Sequence, residues 1–414
     1  MEVTKKFAEY VVNTNLEDFP PEAIGAAKAA IIDCLGCALA GSKEPLADVL
    51  VNYLADLGGK PAATVIGRGF KTSAQEAGLI NGAMSHALDY DDITFITKTH
   101  PSAVLIPAAL PVAEEIGASG RDMLLAYLVG FEVACAVGDA ISTAYFDDLG
   151  WHPTGPLGAL GAAAAAARTL ELDPAQTANA LGIAGSMASG IIEYLAEGTS
   201  TKRLHPGWAA QSGLKAALLA QNGFDGPRTV FEGQHGFFFG FADHAFTPDF
   251  GHLTDGLGED WRMAGLAFKS YACGTMCQPF VDCAVRLAAD GVDPDQVTDI
   301  VCKVGEGTVH RLWEPLAEKQ KPTTRYSAKF SVPYCIAAGL IDGAAGFEQF
   351  TESRIADPTI LRLAAKISYQ IDPANEYPAN YSGHLTVTMA DGSVHFVDNA
   401  IDFKHARTEG ALRA

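Results

Sequence analysis

The chain has 414 residues, 48% of them hydrophobic and 19% charged, which is enough to bury a large core and too apolar for disorder. Its 29 Lys plus Arg stand against 49 Asp plus Glu, a formal net charge of -20 that repels phosphate backbones and anionic lipid, so nucleic-acid and membrane-surface partners are not expected. An anionic small molecule is compatible with this charge only where a few cations gather locally against the overall field.

In chain order, Met1 to Tyr10 carries Glu2, Lys5, Lys6 and Glu9 and no apolar run of signal-peptide type, so a cytoplasmic location is expected. Pro20-Pro21 leads into a helix that Gly41 is placed to stop, and it contains Cys34 and Cys37 at CxxC spacing without a second such pair. Ser73 to Glu76 has capping-box spacing ahead of another helix. The most apolar stretch, Met123 to Val137, is interrupted by Glu132 and reads as too short to span a bilayer. Between Pro153 and Glu197 charges are sparse and Ala, Gly and Ser abundant, with Asp173-Pro174 opening a helix; such helices are buried nearly all round. Residues 1–265 therefore read as a large all-helical main domain with a central helix.

After Met263 the texture changes. Val297 to Val304 is β-branched and roughly alternating, and two further runs flank Asp391-Gly392, which predicts a hairpin with a two-residue type I′ loop. Helix-like runs at Phe280 to Ala289 and Val332 to Ile341 lie between them. Residues 266–400 read as a smaller α/β domain, and 401–414 as a C-terminal tail. The eight cysteines mostly sit in apolar segments, as buried free thiols do in a reducing compartment.

No phosphate-binding loop, dinucleotide fingerprint, H-E-x-x-H or nucleophile elbow occurs, so no cofactor and no metal is expected by motif. Four polar clusters stand out instead. His86-Ala-Leu-Asp89-Tyr-Asp91-Asp92 precedes His100-Pro101; three crowded carboxylates raise at least one pKa unless a cation is near, which suits acid or base work. Trp151-His152-Pro153 places a histidine at the mouth of a Gly/Ala-rich helix. Lys202, Arg203 and His205 gather two cations and a histidine among hydroxyls, where they could hold substrate carboxylates. Lys269, Tyr271, Cys273, Cys277 and Gln278 lie at the domain junction, where ligand clefts are common.

HALDYDD, THPSA, WHPTG, GTSTKRLHPGWAAQSG, KSYACG and SAKFSVPYCIAAGL occur in this order from residue 86 to residue 340, and in that order they resemble the blocks of the MmgE/PrpD family, which includes 2-methylcitrate dehydratase, cis-aconitate decarboxylase and iminodisuccinate epimerase. The resemblance implies a helical main domain, a smaller α/β lid domain, a homodimer, and a cleft that works without metal or organic cofactor. It makes Asp89, His100, His152 and Lys202 the catalytic candidates and Lys269, Arg203, Gln278 and Tyr271 the substrate-binding ones. Two positions depart from the family pattern: Gly274 stands where cis-aconitate decarboxylases have a histidine, and Gln278 where many members do.

All three family reactions move a proton at a carbon next to a carboxylate and build delocalised negative charge, so each needs cations plus an acid and a base. The expected activity is cofactor-independent proton transfer on a small di- or tricarboxylate, nominally 2-methylcitrate-like dehydration. Decarboxylation, epimerisation and a non-catalytic binder of an anionic metabolite are the alternatives. In this scheme Lys202 and Lys269 bind carboxylates, His100 and His152 serve as base and acid, and Asp89 orients a histidine or shares the proton. A zinc or iron–sulfur hydratase built on the cysteines is the remaining reading.

Overall fold

The computed structural model describes residues 2–95, 97–141, 149–242, 246–377 and 380–401. The chain forms two compact units. The first comprises 1–87, 91–194 and 200–268; the second begins at Lys269 and also takes Leu88–Tyr90 and Leu195–Thr199. Apart from Ile401, the tail expected at 401–414 lies outside the described residues.

The first unit is built from α1 (Val3–Asn13), α2 (Pro21–Gly41), α3 (Pro45–Leu57), α4 (Ala74–Ser85), α5 (Ser102–Ile116), α6 (Gly120–Ile141), α7 (Thr154–Thr169), α8 (Pro174–Met187) and α9 (Thr201–Gln221). Helix ends follow local chemistry. Ser73 Oγ accepts the Glu76 N–H at the start of α4, and Asp173 with Gln176 completes a reciprocal capping box at α8. The Gly/Ala-rich α7 is buried along almost its whole length and packs against α5, α6, α8 and α9, so it is the central helix. Small residues let backbones close up: a Cβ on Gly82 of α4 would lie 2.6 Å from Gly207 Cα on α9, and one on Gly207 would lie 2.0 Å from the Leu79 carbonyl oxygen. That crossing carries the first turns of α9 to the C-terminal end of α4.

One expectation is corrected here. The stretch read as too short to span a bilayer belongs to α6, which runs 22 residues, and both α6 and the 21-residue α2 have the length and apolarity to cross a membrane. Helix α6 spends that apolarity inside the unit, where buried Glu132 accepts the N–H groups of Arg262 (3.0 Å) and Met263 (2.9 Å). Helix α2 is different, since Ile32 is 72% and Leu39 53% exposed. Short antiparallel pairs, β1 (Ala63–Val65) with β2 (Phe70–Thr72) and β3 (Ile93–Thr94) with β4 (Leu266–Ala267), complete the unit.

The second unit is a four-stranded mixed sheet of β5 (Val297–Val304), β6 (Ile367–Ile371), β7 (Tyr381–Met389) and β8 (Val394–Ile401) in the order β6-β5-β7-β8. Strands β5 and β6 are parallel, while the β5–β7 and β7–β8 pairs are antiparallel. Burial alternates strictly along β7, as expected for a sheet with one face packed. Helix α10 (Gln278–Ala289) packs on β7 and against α11 (Val332–Asp342). The hairpin turn departs from the expected type I′. Strands β7 and β8 are separated by residues 390–393, Gly392 has φ +84 while Asp391 is not left-handed, and type I′ needs φ > 0 at both central residues. Asp391 Oδ1 instead accepts the Ser393 N–H at 2.8 Å, an Asx-type turn.

Candidate active site

Four segments of the helical unit deliver the polar side chains. His86 caps the C-terminus of α4, His100-Pro101 enters α5, His152-Pro153 enters α7, and Lys202 and His205 stand three apart on the first turns of α9, on one helix face. All five are buried. The His86 ring lies 4.6 Å from that of His100 and 6.1 Å from that of His152, and the His152 ring lies 5.1 Å from that of His205.

Asp91 holds this group together. Its carboxylate accepts from His86 Nδ1 at 2.8 Å and lies 3.3 Å from His100 Nδ1. His100 Nδ1 also donates to the Asp92 carbonyl at 2.9 Å, because a carbonyl can only accept. His152 and His205 share a hydrogen bond between their Nδ1 atoms at 2.9 Å, so one donates and the other accepts. The Asp92 carboxyl is buried beneath, bonded to the Ser102 hydroxyl, which contacts the Tyr127 hydroxyl at 2.6 Å.

Burial sets the charge states. It pushes His86 down to about 4, against the pull of Asp91 and helped by His100 and Lys202. His205 also falls to about 4, through burial and then the Lys202 charge. Burial, His205 and Lys202 hold His152 well below its ordinary value. Burial works against ionisation of Asp91, but His86 and His100 outweigh it and keep the carboxylate charged. Asp92 is the crowded carboxyl that rises: burial and the Asp33 charge hold it protonated despite Ser102. Near neutral pH the cluster therefore combines neutral imidazoles at His86, His152 and His205, the Asp91 carboxylate, the neutral Asp92 carboxyl and the Lys202 side chain. Neutral imidazoles can accept a proton, and a histidine pair can pass one along.

The remaining sequence candidates have partners of their own. Asp89, in the left-handed region at φ 54, belongs to the second unit with Lys269; its carboxylate is ion-paired with the lysine ammonium, which also donates to the Asp89 carbonyl at 2.8 Å. The carboxylate bonded to His86 and facing His100 is that of Asp91. Arg203, on α9, donates to Ser200 Oγ at 2.7 Å. Gln278 is committed to its own loop, accepting the Tyr271 N–H at 3.0 Å and donating to the carbonyls of Tyr271 and Cys273. The Tyr271 hydroxyl donates to Asp282 at 3.2 Å. A Cβ on Gly274 would meet the Phe330 ring at 3.0 Å, so that ring fills the space a larger residue would take. All eight cysteines are buried free thiols. Beyond the catalytic and substrate-binding candidates that the resemblance implied, His86, Asp91 and His205 join the cluster. Their signal was present in the sequence, because each lies within five residues of a candidate, in the same motif.

A helical unit with a buried histidine, carboxyl and lysine centre and a smaller α/β unit make up a chain of α + α/β class. The chain belongs to the MmgE/PrpD family: the MmgE/PrpD N-terminal domain matches residues 5–248 and the C-terminal domain residues 271–410. It is 28% identical over 409 residues to a cis-aconitate decarboxylase-like protein of Aspergillus oryzae, covering 94% of this chain and 84% of that one. Identity is 26% over 417 residues to the cis-aconitate decarboxylase of Aspergillus terreus, covering 94% and 83%, and 28% over 415 residues to that of Homo sapiens, covering 97% and 83%.

Proposed function

We propose that this enzyme is a lyase or isomerase that moves a proton at a carbon next to a carboxylate of a small di- or tricarboxylate, without an organic cofactor. The observation that carries the reading is the buried cluster of His86, Asp91, His100, His152 and His205 around Lys202. Lys202 supplies positive charge where the substrate carboxylate and the developing charge sit. His100, held by Asp91 and the Asp92 carbonyl, and His152, backed by His205, exchange the proton.

Dehydration of a 2-methylcitrate-like hydroxy acid is the first reaction to test. Decarboxylation of a cis-aconitate-like acid is the second, favoured by the names of the relatives. Against it stands Gly274, at a position where cis-aconitate decarboxylases have a histidine and where a Cβ would press on the Phe330 ring at 3.0 Å. The purified enzyme is incubated with 2-methylcitrate, cis-aconitate and iminodisuccinate in deuterated water, with exchange and products followed by NMR. Turnover or exchange with one of them supports the reading. Binding of all three with no exchange overturns it in favour of a metabolite-binding protein.

We further propose a homodimer in the cytoplasm. The exposed apolar face of α2, which presents Gly25, Ile32, Gly36 and Leu39, supports self-association, and eight free thiols suit a reducing compartment.

A further inference from the structure

His86, His100 and His152 are all buried, and one ring nitrogen from each lies within 4.8 Å of the other two. Their Nδ1 atoms are already engaged, by Asp91, by the Asp92 carbonyl and by His205 respectively. Carboxylate and carbonyl oxygens only accept, so His86 and His100 each carry a proton on Nδ1, and the neutral His86 presents Nε2 as a lone pair. The His86 Nε2 is buried with no hydrogen-bond partner among the described residues, an arrangement that is unfavourable unless something occupies it.

This is the outer shell that metal-binding histidines use: Nδ1–H on a carboxylate or carbonyl fixes the tautomer and raises the basicity of the other nitrogen. Ligand nitrogens must also be unprotonated, and His86 and His152 sit below their ordinary values through burial. The charges divide, with Asp91 favouring a cation and Lys202, whose field lowers both histidines, opposing it. Zinc–nitrogen bonds of about 2.0 Å place ligand nitrogens roughly 3.3 Å apart in a tetrahedral site, closer than the 4.8 Å within which ring nitrogens of the three histidines lie.

We propose that His86, His100 and His152 form a binding site for one divalent first-row ion of the zinc type, with a fourth position left open, and that the bound ion stops proton transfer by occupying the imidazole lone pairs. The binding half stands on the geometry alone; the inhibitory half rests on the proposed role of His100 and His152.

The test uses the full chain, freed of metal with a chelator and then titrated with zinc and, separately, with cobalt. One equivalent of zinc should bind, and cobalt should give the intense visible absorption of a four-coordinate nitrogen site. His86→Ala and His152→Ala should each weaken binding more than about 10-fold, as should Asp91→Asn through the outer shell. The surface variant His235→Ala, at an exposed position, should bind like wild type. Circular dichroism and thermal melts identify any variant that fails to fold, and the wild-type cobalt spectrum does not depend on them. Less than one equivalent bound by the wild type, or unchanged affinity in a folded His86→Ala, overturns the site. A stoichiometric zinc complex with undiminished turnover overturns the inhibitory half while leaving the proton-transfer reading in place.

Discussion

Lys202 is a buried lysine whose neighbours are imidazoles, and its field helps keep His86, His152 and His205 neutral. Replacing it with methionine keeps the volume and removes the charge. Lys202→Met should lower kcat/KM at least about 100-fold, the scale of losing one charge-stabilising group, with an unchanged circular dichroism spectrum; near-wild-type turnover would end its assigned role. The histidines make a second prediction. NMR titration should place His86 and His205 near pH 4 against an ordinary 6.5. In that interval the unfolded chain binds more protons, so for these groups stability falls as pH drops from about 6.5 to about 4. Asp92 and Glu132, both raised, act in the opposite direction. The histidine contribution is therefore read as a difference: wild type should lose stability relative to His205→Gln across that interval, and parallel profiles would contradict it. His100, His152 and Lys202 were legible in sequence because each is polar in apolar helical ground. The bond of Asp91 to His86 was not. It depends on the left-handed turn at Asp89, a conformation that aspartate tolerates but does not announce.

At the level of elements, the position of the cluster depends on how closely α4 and α9 approach. Gly207→Ala would drive a methyl carbon to 2.0 Å from the Leu79 carbonyl oxygen and 2.9 Å from the Ala83 nitrogen, forcing the helices apart. Overpacking of this kind costs about 1–3 kcal/mol, so denaturant unfolding should show a loss of that order, with activity reduced as Lys202 and His205 shift from His86. A variant as stable as wild type would show that the crossing is slack. Asp173→Ala, which removes the α8 capping box, should cost about 1 kcal/mol without touching the chemistry. Capping boxes, the Pro-led helix starts and the alternation of β5 could be read directly, because each is set by neighbours a few residues away. Sheet order could not, since the parallel pairing of β5 with β6 joins residues more than sixty apart. The hairpin turn was misread because Asp-Gly also suits an Asx turn, and the longer loop left Asp391 free to make one.

For the whole molecule, an apolar helix face in so acidic a chain needs cover. Light scattering should give twice the chain mass, and Ile32→Glu with Leu39→Glu should return it to one; a monomeric wild type would remove the dimer proposal. Helix α2 also shows why hydropathy alone could not assign such faces: α2 and α6 score alike, yet α6 is mostly buried and α2 mostly is not.

Lys202 sits inside a protein whose net charge is -20, so an arriving polycarboxylate is repelled at long range before it meets an attractive charge at short range. The exterior field is screened by salt, with a reach of about 30 Å at 0.01 M and about 8 Å at 0.15 M ionic strength, whereas a buried charge is screened far less. Encounter, rather than chemistry, should therefore respond to salt: kcat/KM should rise with ionic strength over that range while kcat holds steady, which makes the acidic exterior a speed limit on capture that the cell's own electrolyte partly lifts.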